Sequence, residues 1–387
     1  MSGGGTAGHI YPALALAAEL EKRGHTLCYV GTPDGPEARL APDAGLDFTP
    51  VRAAGFNRAH PLTLLTSSLV IARSALKLRR VFKRERPDVV VGFGGYVAIP
   101  VGLAARFQRP KVSLVVHEQN SVPGMTNRFL ARYAQSIAVT YPQSAALFRE
   151  QHKKRDAAAP RLNVVVTGDP VRAEVLAGQR ERGRRQLGIG ADALVLLVFG
   201  GSRGARHLNE ALVRILPDVL ARYPQLHVVH ASGAGEHEQV RAETQSLIDQ
   251  GGAGAVAQAL KDRYHLFAYL DDIADILAAA DLAVTRAGAT SIAELSALGL
   301  PAVLVPFPHA TDDHQTSNAR DLVEMGGALM LPDSQLDSAE FVAILDGLLS
   351  DAQRRDTMEA ATRRFGRPNA AALLADCVEA AAFRTKG

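Results

Sequence analysis

A chain of 387 residues, 47% hydrophobic and 21% charged, is long enough for two domains with filled cores. A net charge of +3, no Trp and 5% aromatic residues argue against nucleic acid as a partner, which demands a basic surface and stacking platforms. With only Cys28 and Cys377, neither a disulfide framework nor a cysteine zinc site is available, which fits a reducing, cytoplasmic compartment.

The chain opens on a glycine turn, Gly3-Gly4-Gly5-Thr6-Ala7-Gly8-His9, that leads into a first helix with Pro12 near its start and Gly24 just past its end. Such a turn lets bare backbone N–H groups approach a phosphate, and the helix dipole favours the negative charge. It normally follows a buried strand, yet only Met1 and Ser2 precede it. The central strand of the first sheet is therefore expected to be missing, with a translation start set too far downstream as the favoured cause. Truncation is disfavoured because it would open two sheet edges. No basic region followed by an apolar stretch marks a secretory signal.

Strands are predicted at Thr26–Val30, Val89–Val91, Ser113–Val116, Ser136–Val139, Val164–Val166, Leu194–Phe199, Leu226–His230, Leu282–Thr285 and Ala302–Val305. Near-continuous apolar strands separated by helical stretches mean parallel sheets covered on both faces. The nearly uncharged run Val89 to Ala105 holds Gly92, Gly94, Gly95, Pro100 and Gly102, so it reads as strand, turn and helix rather than a membrane span. A polar, basic stretch from Gln151 to Arg161 precedes Gly168-Asp169-Pro170-Val171-Arg172, and the alternation restarts at Leu194. The expected division is residues 1–170, residues 171–365 and a last helix within residues 366–387.

A second glycine turn, Gly200-Gly201-Ser202-Arg203-Gly204-Ala205, lies about one domain further on. Two such turns in two α/β halves predict a cleft holding a phosphorylated ligand. Neither has the G-x-G-x-x-G spacing of a dinucleotide site, which makes a dehydrogenase the weakest reading. After the strand Leu282–Thr285 comes Arg286 to Glu294, well placed at a strand's carboxyl end. Glu294 suits a ribose diol, but Ser291-x-x-Glu294 is equally a capping box. The loop from Pro306 to Asn318 carries His309, Asp312, Asp313 and His314. A metal site is weighed there against a helix capped by Thr311 with both Asp residues in its first turn, and the cap is preferred. His314 and Gln315 would then face a sugar.

In the first half, His117-Glu118-Gln119-Asn120 ends a strand with four polar side chains, which reads as functional against the alternative of a solvated loop. Gly92-Phe93-Gly94-Gly95-Tyr96 permits close backbone approach or simply turns the chain. His9, held neutral at a helix start, is a candidate general base against the alternative of a structural His. Residues 62–86 form an amphipathic helix: Arg73, Lys77, Arg80 and Arg84 line one face, with Leu64, Ile71, Ala75, Leu78 and Phe82 roughly opposite. Packing on a sheet explains it, and so does docking on an anionic membrane surface.

Seven motifs in order resemble the MurG family of glycosyltransferases: the two glycine turns, Gly94-Gly95-Tyr96, His117 to Asn120, Gly168 to Arg172, Arg286 to Glu294, and Asp312-Asp313-His314-Gln315-x-x-Asn318. The resemblance covers nearly the whole chain. It implies the GT-B fold, two Rossmann-like α/β domains with a cleft between them, and inverting transfer of N-acetylglucosamine from UDP-N-acetylglucosamine to the 4-hydroxyl of the muramyl unit of lipid I. It places Glu294 at ribose, Leu270 at uracil, Ser202 and Arg172 at the diphosphate, and Ala289, Thr290 and Ser291 between sugar and phosphate. Gln315 and Asn120 would meet the sugar, with Thr6, Ala7 and Gly8 closing over the donor. It also implies a peripheral protein on the cytoplasmic face of the bacterial plasma membrane, docked through residues 62–86, with other cell-wall enzymes as partners and the last helix crossing back to the first domain. No cofactor or metal is expected, since Ser202, Arg172 and the glycine-turn N–H groups suit the departing diphosphate. His9 is the first candidate for the base and Glu118 the second. Ala7 stands where the family has Gly, Arg203 where it has Gln, and Asp169 where it has Asn, the last adding negative charge near a diphosphate. A GT-B enzyme for another acceptor and a non-catalytic nucleotide-sugar scaffold are the alternatives.

Overall fold

The computed structural model describes residues 1–54, 62–155, 162–201, 204–270 and 272–386. The chain forms two units, Met1–Arg172 with Arg367–Gly387, and Ala173–Gly366.

The first unit is built on parallel strands Cys28–Gly31 (β1), Asp47–Pro50 (β2), Val89–Gly92 (β3), Ser113–Glu118 (β4), Ser136–Val139 (β5) and Val164–Val166 (β6). β1 pairs with β2, and β3 to β6 run in order. Ser2 joins the two ladders, bridging Val30 on one side and Gly92 on the other. The Val30 N–H donates to the Met1 carbonyl, the Ser2 N–H to Val91 and the Phe93 N–H to Ser2, each at 2.8 Å. The first glycine turn thus follows a single bridging residue in place of a strand, and the sheet is continuous across it.

The first helix, Ala7–Lys22 (α1), buries Ile10, Ala13, Leu16, Ala17 and Leu20, a stripe at helical spacing. Pro12 sits six residues in rather than at the start, so the Gly8 carbonyl receives no amide from it. The last helix, Ala370–Lys386, belongs to this unit. Leu374, Ala375, Val378 and Ala381 share a core with Ala13, Leu16, Val91 and Val115. Ser113 Oγ donates to the Ala381 carbonyl at 2.8 Å, and Arg23 reaches Asp376 at 2.7 Å and Glu379 at 2.9 Å.

In the helix Leu62–Glu85, Ile71, Leu78 and Phe82 are buried, while Arg73, Lys77, Arg80 and Arg84 are exposed. Leu64 lies outside the residues whose side chains are described. Leu69 and Leu76, about half exposed, sit beside the basic face.

The second unit is a six-stranded parallel sheet of Leu194–Phe199 (β7), Leu226–Ala231 (β8), Tyr264–Phe267 (β9), Leu282–Thr285 (β10), Ala302–Leu304 (β11) and Ala328–Met330 (β12). The order is β12-β11-β10-β7-β8-β9. Chain direction across the sheet reverses between β7 and β10, so the loops after these strands flank a switch point, where open α/β sheets bind ligands. Counting Ser2 as the first position, the first unit reverses in the same way between Ser2 and β3. The strands absent from the sequence prediction are β2, β9 and β12. All three lie at sheet edges and are only partly buried, which erases the apolar run that betrays a central strand.

Candidate active site

At the switch point of the first unit the turns Gly3–His9 and Gly92–Val97 touch. Gly95 has φ +74°, and a Cβ there would lie 2.4 Å from the Gly4 carbonyl oxygen, so only glycine fits. Tyr29 donates to the Gly3 carbonyl at 2.7 Å. Fully buried Glu37 accepts from the Thr32 N–H at 2.9 Å, the Thr32 hydroxyl at 2.6 Å and the Gly5 N–H at 3.3 Å. Sequence reasoning missed Glu37, because a lone acid in a short helix carries no motif.

His9 Nδ1 lies 3.1 Å from the Gly4 carbonyl oxygen and 3.2 Å from Thr6 Oγ1. A carbonyl can only accept, so the proton belongs on Nδ1 and the basic lone pair is on Nε2. Nε2 points along Gly94, whose Cβ would stand 3.1 Å from it.

Three of the four polar residues that end β4 face inward. His117, Glu118 and Gln119 are buried, and only Asn120 is half-buried. His117 Nε2–H donates to the Gly168 carbonyl at 3.0 Å, while Gln119 Nε2 donates to His117 Nδ1 at 3.2 Å and to the Phe93 carbonyl at 3.0 Å. Burial pushes the His117 pKa down to about 4, in keeping with the neutral tautomer that these bonds require. Asp169, expected near a diphosphate, is buried with an oxygen 4.0 Å from His117 Nδ1. The Glu118 carboxylate accepts from the Asn120 N–H at 3.0 Å, the Gly124 N–H at 2.9 Å and Asn127 Nδ2 at 2.9 Å, and burial pushes its pKa up. It braces the loop between β4 and the helix Met125–Leu130, which corrects its expected place as a second base facing substrate. Arg172, half-buried at the end of the unit, holds its guanidinium carbon 4.0 Å from the centre of the Tyr11 ring.

In the second unit, the turn after β7 carries Gly201 at φ +84° and Gly204 at φ +75°, and a Cβ on Gly204 would lie 2.5 Å from the Ser232 carbonyl oxygen. Ser202 and Arg203 lie outside the described residues. After β10, Gly288 is the N-cap of the helix Ala289–Leu298, and the Ile292 N–H donates to its carbonyl at 3.0 Å. The amides of Ala289, Thr290 and Ser291 are therefore the first-turn amides of that helix, for which the helix itself offers no carbonyl. Ser291 is its third residue and not its cap, so the capping-box reading of Ser291 and Glu294 fails. Buried Glu294 lies in the second turn, where the cap needs nothing from it.

Gln315 joins two loops at this edge. Its Oε1 accepts the Ala287 N–H at 3.1 Å and the Phe307 N–H at 2.9 Å, which turns its amide NH2 into the donating end. The expected cap by Thr311 is not formed. Thr311–Asp313 is a 3-10 turn, Asp312 and Asp313 adopt φ of 54° and 49°, and the following helix starts at His314 with Asp313 as N-cap. Asp313 Oδ1 takes the Thr316 hydroxyl at 2.7 Å, a local bond that compensates part of the left-handed strain. Beneath the loops, Arg286 donates to Asp333 and to the Val305 carbonyl at 3.3 Å. His207 meets Asp333 at 2.7 Å and Asp337 at 3.2 Å, one carboxylate on each ring nitrogen. Leu270, just beyond β9, is buried.

The comparisons agree end to end. Residues 1–139 match the glycosyltransferase family 28 N-terminal domain and residues 195–374 its C-terminal domain. A protein of Desulforudis audaxviator named UDP-N-acetylglucosamine--N-acetylmuramyl-(pentapeptide) pyrophosphoryl-undecaprenol N-acetylglucosamine transferase is 41% identical over 98% of this chain and 97% of its own. A Halothermothrix orenii protein of the same name is 36% identical over the same shares. The crystal structure of Acinetobacter baumannii MurG superimposes with a TM-score of 0.69 at 30% identity, covering 98% of both chains. The calicheamicin glycosyltransferase CalG4, at 22% identity and a TM-score of 0.61, shares the fold. The chain belongs to glycosyltransferase family 28, within it to the MurG family of N-acetylglucosamine transferases, and has their two-domain GT-B fold.

Proposed function

We propose that this enzyme transfers N-acetylglucosamine from UDP-N-acetylglucosamine to the 4-hydroxyl of the muramyl unit of lipid I, with inversion at the anomeric carbon, giving the lipid II precursor of peptidoglycan. The observation that carries the reading is similarity over 98% of the chain to transferases of that name. In this reading the acceptor hydroxyl gives its proton to His9 Nε2 as its oxygen attacks from the face opposite UDP. Negative charge then grows on the departing diphosphate. Arg172, Ser202 and the first-turn amides of the helix Ala289–Leu298 supply positive charge and N–H groups to it. Glu294 accepts from the ribose hydroxyls, and the backbone at Leu270 meets uracil. Gln315 donates its anchored NH2 to the sugar, with Asn120 as a second contact, and Thr6, Ala7 and Gly8 close over the donor. Glu118 holds Asn120 in place instead of acting as the base.

The exposed basic face of the helix Leu62–Glu85, with Leu69 and Leu76 beside it, suits an anionic membrane surface. Among the described residues no helix is long and apolar enough to cross a membrane. We place the enzyme peripherally on the cytoplasmic face, where lipid I and other cell-wall enzymes are its partners.

The test is UDP release from UDP-N-acetylglucosamine with and without a soluble lipid I analogue. Acceptor-dependent release with a β-linked disaccharide product is expected. Donor binding without release would instead indicate a different acceptor or a scaffold.

A further inference from the structure

We propose that Tyr11 is a positioning residue, and that its ring sets the guanidinium of Arg172 for the diphosphate of the donor. The inference deepens the proposed function and rests on its assignment of Arg172. The Arg172 guanidinium carbon lies 4.0 Å from the Tyr11 ring centre, while the other cation–π pairs among the described residues span 5.6–6.0 Å. That is van der Waals contact with the ring face.

The chain leading to Arg172 is fixed. Thr167, Asp169 and Val171 are buried, and the Gly168 carbonyl is held by His117. The Tyr11 ring acts beyond that, on the long side chain itself. A ring face attracts the cation through its quadrupole and occupies the flat side of the guanidinium. The five N–H donors lie in the plane, at the rim, so stacking and a forked bond to phosphate oxygens are compatible. A lysine ammonium has no such flat side and rim.

Tyr11 also stands two residues after His9 on α1. One rigid element therefore carries both the group that takes the acceptor's proton and the ring that orients the group receiving the leaving charge. A shift of that helix turn would move both together.

Inhibition by UDP and by uridine, measured on the full chain beside kcat and KM for UDP-N-acetylglucosamine, tests this. Tyr11→Leu is expected to weaken UDP by roughly 3- to 30-fold while leaving uridine unchanged, because only UDP has the diphosphate. Tyr11→Phe, which keeps the ring face, should return UDP inhibition to within about twofold of the original. Adding Tyr11→Leu to Arg172→Lys should weaken UDP no further than Arg172→Lys alone. Tyr11→Met replaces Tyr11→Leu should the latter melt below the assay temperature. If Arg172→Lys lowers the UDP preference over uridine and Tyr11→Leu does not, the positioning role is wrong and Arg172 stands without it. If Arg172→Lys leaves that preference intact, the assignment of Arg172 to the diphosphate fails, and the proposal with it.

Discussion

Gln315 and Glu294 are the residues at which holding and binding can be told apart at single atoms. Gln315 spends its carbonyl oxygen on two backbone amides. Gln315→Glu retains an acceptor for both amides but turns the donor end into a second acceptor. Thermal stability should stay near that of the parent, while kcat/KM for UDP-N-acetylglucosamine falls by roughly 10- to 100-fold, the loss typical of a polar contact gone wrong. A matching loss of stability would show that Gln315 only staples the loops. Glu294→Gln is expected to raise the donor KM by about tenfold with no change in melting, since the helix is capped at Gly288. A lower melting temperature with unchanged KM would return Glu294 to a structural role. From the sequence alone, Ser291-x-x-Glu294 is ambiguous. The pattern matches a cap, and only the extra turn of helix begun at Ala289 resolves it.

At the scale of elements, the start of the helix Arg206–Arg222, the loop after β10 and the segment 333–337 are tied by charge. His207 donates from both ring nitrogens to Asp333 and Asp337, Arg286 shares Asp333, and Arg214 pairs with Asp337 at 2.7 Å. The Asp333 hydrogen bond leads in raising the His207 pKa above its usual value, although partial burial opposes it. This tie therefore contributes its full stability below about pH 6.5 and loses it as pH rises through the raised value. The melting temperature should fall across that alkaline side, and His207→Gln should flatten the slope. An equal slope in the variant would assign the effect elsewhere. None of this is legible in the sequence, because His207, Asp333 and Arg286 lie far apart in it and meet only through the sheet order. The elements themselves were more readable. Central strands such as β7, buried at every position, announced themselves, whereas edge strands such as β12 and the left-handed pair Asp312-Asp313 did not.

Across the whole molecule, each unit encloses a neutral imidazole. Burial lowers His117 to about 4 in the first unit, and burial lowers His230 to about 3 in the second, where it bonds Tyr264 at 2.7 Å and Asn209 at 3.0 Å. Unfolded histidines take up protons near pH 6.5, so each unit loses stability as pH falls from there toward the folded value. For His117 the full effect is about 3 kcal/mol. Urea midpoints should drop between pH 7 and pH 5, and His117→Gln should reduce the dependence even if it lowers the midpoint overall. A pH-independent midpoint in the parent chain would mean that these histidines charge without unfolding. The path of the chain has a further consequence. The first unit borrows Leu374, Ala375, Val378 and Ala381 from the far end of the sequence, while Ala173–Gly366 is continuous. During synthesis the second half can close its core before the first half has received its last helix. The half made first is the half finished last, and the apolar faces of α1 and β3 wait for Leu374, Ala375, Val378 and Ala381 to leave the ribosome.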